Sequence, residues 1–387
     1  MSTYVSGPYT SGRLLRDIRA VEDWITDEFR QHGPITSAID QRDIDARVRD
    51  VSQGRNACLF DDQGNPSIMV RVPNFMLNTI HDAWPEQLHP AFVINGTPVS
   101  ELWIAKYQAF TVGSGANRRA LSLRRVDPSV YNTFDAAVTA CAQKGSGWHL
   151  MTNAEWAAVA LWCMANGWFP RGNNSFGNDY QRTDEWGEVT HTYTSGGTLY
   201  KGRVATGTGP VGWSHDGTPF GIWDLNGNVW EWVGGLRIVD GEIQVIPDND
   251  AADDGADQSS DSPLWKAILP DGTLVDPGTE GTLKFDATGA NGAGNPILNT
   301  KVESQSTGNE SANVLFRDLQ AAPGVDVPPV LRQLGIAPVG SGQPGRLYVR
   351  NIGERLSRRG GDWAYSSDAG AFALRLSYAP THSGSSS

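Results

Sequence analysis

The sequence predicts an α+β fold, a few helices beside short strands, joined by long irregular connections. Three observations carry that expectation. Near the N-terminus apolar residues recur at helical spacing, Leu14, Ile18, Val21 and Ile25, with charges between them. Near the C-terminus Phe372, Leu374 and Leu376 sit two apart, the period of a half-buried strand. Between these ends, and most of all after Gly167, lie stretches dense in Gly, Asn and Asp without a period.

Composition sets the outer bounds. A chain of 387 residues, 39% of them hydrophobic, is long enough for one large domain and a smaller one. Its net charge of -12 argues against a phosphate-binding surface, so no nucleic-acid partner is expected. Three cysteines, Cys58, Cys141 and Cys163, are too few and odd in number for a disulfide framework. No basic stretch followed by an apolar one opens the chain, so no secretory signal is expected. No apolar run approaches the roughly 18 residues of a membrane span.

Taken in order, Ser11–Gln31 reads as an amphipathic helix whose stripe also suits a short helix–helix seam. After Gly33-Pro34 a second helix is expected over Thr36–Asp50, with Ile39 and Ile44 or Val48 turned inward. Ser67–Val72 alternates as a strand. Residues 1–90 are expected to form a separate module for attachment or self-association, with the main domain over 91–387. There, Val99–Tyr107 reads as a strand and Thr133 opens a helix that runs to Lys144. Thr152 and Glu155 form a capping box before a helix over Ala154–Asn166, which places Trp156, Val159, Ala160 and Cys163 on one face. Asn226-Gly227-Asn228 signals a tight turn, flanked by tryptophans expected in the core. Residues 234–343 are expected as an insertion. Within it Asp240–Asp261 is acidic or small and reads as solvated loop, and Leu269–Phe285 holds two short strand-like pieces. On this reading the acidic insertion is dispensable for folding.

Motifs of catalysis are missing. The histidines are scattered, and no zinc-type His pair, phosphate-cradling loop or nucleophile elbow occurs. The C-terminal stretch is more informative. Around its apolar comb lie Asp362, Ala364, Tyr365, Asp368, Arg375, Ser377, Tyr378 and His382, a mixture of the residue types that suit binding by adaptable contact. The surrounding residues, Arg359-Gly360-Gly361-x-Trp363, then Ala369-Gly370-x-Phe372-Ala373-Leu374-x-Leu376 and Ala379-Pro380, resemble the variable segment of diversity-generating retroelement target proteins. In that family a reverse transcriptase rewrites template adenines, so that the mixed positions vary over a fixed scaffold. By that resemblance the scaffold here is Arg359, Gly360, Gly361, Trp363, Phe372, Leu374 and Leu376, and the mixed positions bind ligand, with Tyr365 and Tyr378 as anchors. The family usually closes with a Gly-Phe-Arg motif after the Ser-rich run, and this chain stops at Ser387.

A second resemblance spans the middle of the chain. Trp103–Tyr107, Gly147-Trp148-His149-Leu150, Thr152 with Ala154-Glu155-Trp156, Gly209–Gly212, Gly221–Trp232 and the Arg359-Gly360-Gly361 motif occur in the order of formylglycine-generating enzymes. That implies a C-type lectin-like fold of the formylglycine-generating subtype, which the retroelement targets share. Enzymes of that family hold copper through two cysteines just after the Arg-Gly-Gly motif, whereas Asp362–Ala371 here holds none. By the same resemblance calcium would be held by Asp224, the carbonyls of Gly227 and Val229, and Glu231. The expectation is therefore a non-catalytic display protein of the phage-tail or cell-surface adhesin type. It needs no cofactor, calcium being the candidate metal. It would act at a virion or cell surface on a protein or glycan ligand, and self-associate through its N-terminal module. The alternatives are a formylglycine-generating oxidase and a carbohydrate-binding module of fixed specificity.

Overall fold

A computed structural model describes residues 17–386. The first helix runs Ile18–His32, capped by the Asp17 carboxylate, and its buried face is Ile18, Val21, Ile25 and Phe29 together with Glu22 and Thr26. Leu14, expected on the same stripe, lies outside the described residues. The second helix, Ala38–Ser52, starts from an Ser37 cap and turns Ile44 and Val48 inward. Ile39 does not join them; it is 63% exposed, and Asp40 takes the buried place beside it.

The described part of the expected N-terminal module is not a body apart. Ile18, Val21, Ile25, Ile44 and Val48 pack in one cluster with Tyr107, Leu121, Trp213 and Trp223. The strand Pro66–Pro73 pairs on one side with Asn56–Phe60 and on the other with Glu101–Ala105, so the sheet runs across the boundary expected at residue 90. Inside the cluster Lys106 Nζ donates to Glu22 Oε1 at 2.7 Å, and Tyr107 OH donates to Glu22 Oε2 at 2.7 Å. A buried ammonium needs such a partner. The helix stripe that invited a partner copy is thus already covered.

The larger sheet has 11 strands. Its main path runs Ala312–Leu315, Arg346–Val349, Gly370–Tyr378, Glu354–Gly360, Glu231–Val239, Glu242–Val245, Lys284–Ala287, Pro296–Asn299 and Gln320–Ala321; off it, Lys266–Ile268 pairs with Glu242–Val245, and Leu274–Val275 pairs with Lys266–Ile268. Residues 234–343 therefore supply strands at both edges, on either side of the C-terminal strand Gly370–Tyr378. Ile243, Val245, Ile268, Leu283, Phe285, Leu298 and Phe316 are buried in the same cluster as Trp156, Phe372, Leu374 and Leu376. The solvated-loop expectation for Asp240–Asp261 is corrected over 240–252, while 253–261 is irregular and mostly exposed, as expected. Asp240 and Gly241 both have positive φ, 46° and 84°, and form the two-residue turn of a hairpin in which Val239 faces Glu242. Apolar residues along the short strand and just after it, Ile243, Val245, Ile246, Ala251 and Ala252, bury the first half of this segment despite its polar average.

The helices over Phe134–Ala142 and Asn153–Ala165 follow the sequence closely, with Thr133 and Thr152 as caps and the capping box complete. Asn153–Ala165 is buried along nearly its whole length, which is why its apolar residues show no single stripe. Among the described residues no helix is long and apolar enough to cross a membrane.

Candidate functional site

The Arg-Gly-Gly motif fixes where the C-terminal segment sits. Arg359, fully buried, donates to Asn153 Oδ1 through Nε at 3.1 Å and to the Gly335 carbonyl through Nη2 at 3.0 Å. It ties the first turn of the Asn153–Ala165 helix to the far end of the 234–343 segment. Gly360 and Gly361 both adopt positive φ, 89° and 91°, and a Cβ on Gly361 would stand 2.6 Å from that of Ala369. Trp363 is buried beyond them, and its carbonyl accepts from Phe176 N at 2.7 Å. The strand then turns Phe372, Leu374 and Leu376 into the main core, where Trp156 Nε1 donates to the Ala371 carbonyl at 2.7 Å.

On the opposite side Tyr365, Asp368, Arg375, Ser377, Tyr378 and His382 form one connected surface. Arg375 donates to the Tyr365 hydroxyl, to Ser377 Oγ at 3.0 Å and to the Tyr378 hydroxyl at 3.2 Å. Tyr378 stacks on His382 with centroids 3.7 Å apart, and Tyr365 stands edge-on to Trp230 at 5.3 Å. Burial, and after it the nearby Arg358 and Arg375, push His382 down to about 4, so its ring is neutral at physiological pH. Ala364 is exposed beside this surface. Asp362 is not on it: it is buried, its Oδ1 accepts from Ala364 N at 2.9 Å, and it shapes the turn. Ser377 is also largely buried.

The surface recruits residues that the sequence reading did not pick out. Tyr348 OH donates to Asp368 Oδ2 at 3.2 Å, and Arg346 pairs with Asp368 Oδ1 at 2.9 Å. Arg358 lies under the Tyr378 ring, 4.2 Å from its centroid. These arrive through strand pairing, Tyr348 facing Arg375 and Arg358 facing Arg375. Local spacing carries no signal for them; only the sheet order would.

The carbonyls of Gly227 and Val229 and the Glu231 carboxyl also come together, but Asp224 meets them through its carbonyl and not through the side chain expected there. Gln108 Nε2 lies 3.2 Å from the Asp224 carbonyl, 3.3 Å from that of Gly227, 3.0 Å from that of Val229 and 3.0 Å from Glu231 Oε1. Its direction is set by the backbone, because Val204 N donates to Asn228 Oδ1 and Asn228 Nδ2 in turn donates to Gln108 Oε1. One NH₂ group has two protons for four acceptors. Asp224 Oδ2 accepts from Gly207 N, and its Oδ1 is buried without a partner. Burial pushes the Asp224 carboxyl up to about 7 and that of Glu231 up to about 8. Among the described residues Glu231 pairs with no arginine, and its carboxyl accepts from Gln108 instead. The oxygen donors, the orphaned Oδ1 and the two costly carboxylates fit a hard cation. Gln108 was not foreseen at this position.

Copper is a different matter. The cysteines are free, Cys58 and Cys163 buried in separate clusters, and burial pushes the Cys141 thiol up to about 11. None of them lies beside the Arg-Gly-Gly motif, and protonated buried thiols do not fit a soft metal.

Residues 50–237, just under half of the chain, match the FGE-sulfatase family, the sulfatase-modifying factor enzyme 1-like domain. With the helices and sheets above, the fold class is α+β of that C-type lectin-like kind. A formylglycine-generating enzyme from Thermomonospora curvata is 26% identical over 170 residues, 42% of this chain and 53% of that protein. The chain thus spans about half the length of the curated relative it matches. The family match holds the oxygen cage and ends before the C-terminal segment.

Proposed function

We propose that this chain is a ligand-binding display protein whose C-terminal segment is diversified by a retroelement, of the phage-tail or adhesin type. The observation that carries the reading is the division of labour on one strand. Residues resembling the fixed scaffold point into the core, while most of the mixed positions share one outward surface, in contact with one another and with Trp230, Arg346, Tyr348 and Arg358. A set of side chains arranged in that way is replaceable without repacking the interior. The oxidase reading lacks a thiolate pair at the place the chemistry needs it. A protein or glycan on a target surface is the ligand class that suits a tyrosine-rich face.

The experiment is population sequencing of the 3′ end of the gene together with its neighbourhood. The reading expects a reverse transcriptase gene, a template repeat, and substitutions confined to the codons of Asp362, Ala364, Tyr365, Asp368, Arg375, Ser377, Tyr378 and His382. Variation spread equally over Phe372, Leu374 and Leu376, or no template repeat, would overturn it.

We further propose that the oxygen cage takes calcium in the place of the Gln108 amide nitrogen. Asp224, Glu231 and the carbonyls of Gly227 and Val229 would hold it, and its charge would relieve the two buried carboxylates. Its role would be to stabilise the platform beneath the binding face.

A further inference from the structure

Among the described residues, two guanidinium groups at the outward surface, Arg358 and Arg375, have no carboxylate within salt-bridge distance. Arg358 and Arg375 face each other directly across two antiparallel strands. Like charges in that register are destabilising. The acids nearby are engaged elsewhere: Asp368 pairs with Arg346 and Tyr348, and Asp362 is buried and accepts from Ala364 N. Among the described residues, the hydrogen bonds of Arg375 go only to the hydroxyls of Tyr365, Ser377 and Tyr378. Arg358 is 2% exposed, and its Nε has no hydrogen-bond partner. Ring faces hold it instead, Tyr378 at 4.2 Å and Trp232 at 5.0 Å from its Cζ. Burial first and Arg375 second push Arg358 down to about 9. A buried charge is ordinarily paired, and here two positive charges are opposed by aromatic quadrupoles and, from beyond salt-bridge distance, by the buried Asp362 carboxyl.

We propose that this surface takes an anionic group, a carboxylate or sulfate carried beside a flat apolar surface, which Arg375 grips against the Tyr365 and Tyr378 rings. Planar guanidinium suits such oxyanions through paired hydrogen bonds, and the rings supply a stacking wall. The inference rests on the binding-face reading and names the chemistry of the ligand. Arg375 is one of the replaceable positions, so grip on the anion belongs to this version of the segment. Arg358 lies outside that set, and its positive field underlies the face whatever occupies position 375.

The test uses the full chain and ligand-observed NMR titrations with benzoate and its neutral counterpart benzamide at constant ionic strength. Benzoate is expected to bind about tenfold tighter or more. Arg375→Gln should remove the preference, and Arg375→Lys should keep part of it, with thermal melting showing both variants folded. Equal affinity for the two probes, no benzoate binding, or a preference unchanged in Arg375→Gln would overturn the proposal. Random peptides selected on the same protein separate this from the broader reading. Binders that depend on Tyr365 and Tyr378 but are not enriched in Asp or Glu defeat the anion and leave the face standing. Absence of any binder that depends on those tyrosines defeats the face itself.

Discussion

The two sides of the strand Gly370–Tyr378 obey different rules. Its inner side presents Phe372, Leu374 and Leu376, all fully buried and in one cluster with Phe316 and Leu347. There volume and fit decide, because interiors are close-packed. Its outer side presents Arg375, Ser377 and Tyr378, whose contacts are mostly with Tyr365, His382 and the rings of Trp230 and Tyr348. There the residues satisfy one another, and the backbone is held from behind. Stability and recognition can thus be written on one strand without sharing residues. The division is not perfect, since Asp362 and Ser377 are mixed positions that the fold nonetheless buries, and Tyr378 also packs against the Phe134, Trp232 and Leu356 cluster.

The inner side extends into the 234–343 segment, which gives the first way to break the comparison. Phe285→Ala should cost about 3–5 kcal/mol in chemical denaturation, the usual range for a buried aromatic. An effect near zero would return this segment to the status of a dispensable loop. Glu22→Ala should cost about 3–5 kcal/mol because it strands the buried Lys106 ammonium. Unchanged stability would detach the first helix from the domain. Leu374→Ala on the strand itself should cost about 2–5 kcal/mol.

The cage beneath the face provides a pH test. The carboxyls of Asp224 and Glu231 titrate in the ordinary carboxylate range when exposed, and at about 7 and about 8 in the fold. Between those limits the unfolded chain holds fewer protons, so these groups draw stability down as pH rises from about 4 to about 8. In chelator, Glu231→Gln should flatten that decline. Calcium should raise the melting temperature most at the upper end of the window, and Asp224→Ala should abolish the response. Equal melting with calcium and chelator would leave Gln108 as the lasting occupant of the cage.

What the sequence made legible was short-range. Caps at Thr133 and Thr152, the helical stripe from Ile18 to Ile25, the alternation through Leu376 and the oxygen-rich turn from Asp224 to Glu231 depend on residues within a few positions. What stayed hidden was delivered by pairing over long separations: Gln108 to the cage, Arg346, Tyr348 and Arg358 to the outward surface. Ile39 misled because one apolar residue fits a stripe by chance. The 234–343 segment misled for another reason. Its acidic average concealed an Asp-Gly turn between alternating apolar runs, Leu236-Arg237-Ile238-Val239 and Glu242-Ile243-Gln244-Val245, a hairpin signal available in the sequence.

The smallest expected effect on stability is also the most telling. Ala364, Tyr365, Asp368, Arg375, Tyr378 and His382 should be replaced together by Ser, with Asp362 and Ser377 left in place. Thermal melting and binding to a peptide selected on the parent chain should then be measured on the same sample. The account predicts a cooperative melt near that of the parent, each surface change staying within about 0.5 kcal/mol, with binding lost. Collapse of the fold, or binding that persists, would contradict it.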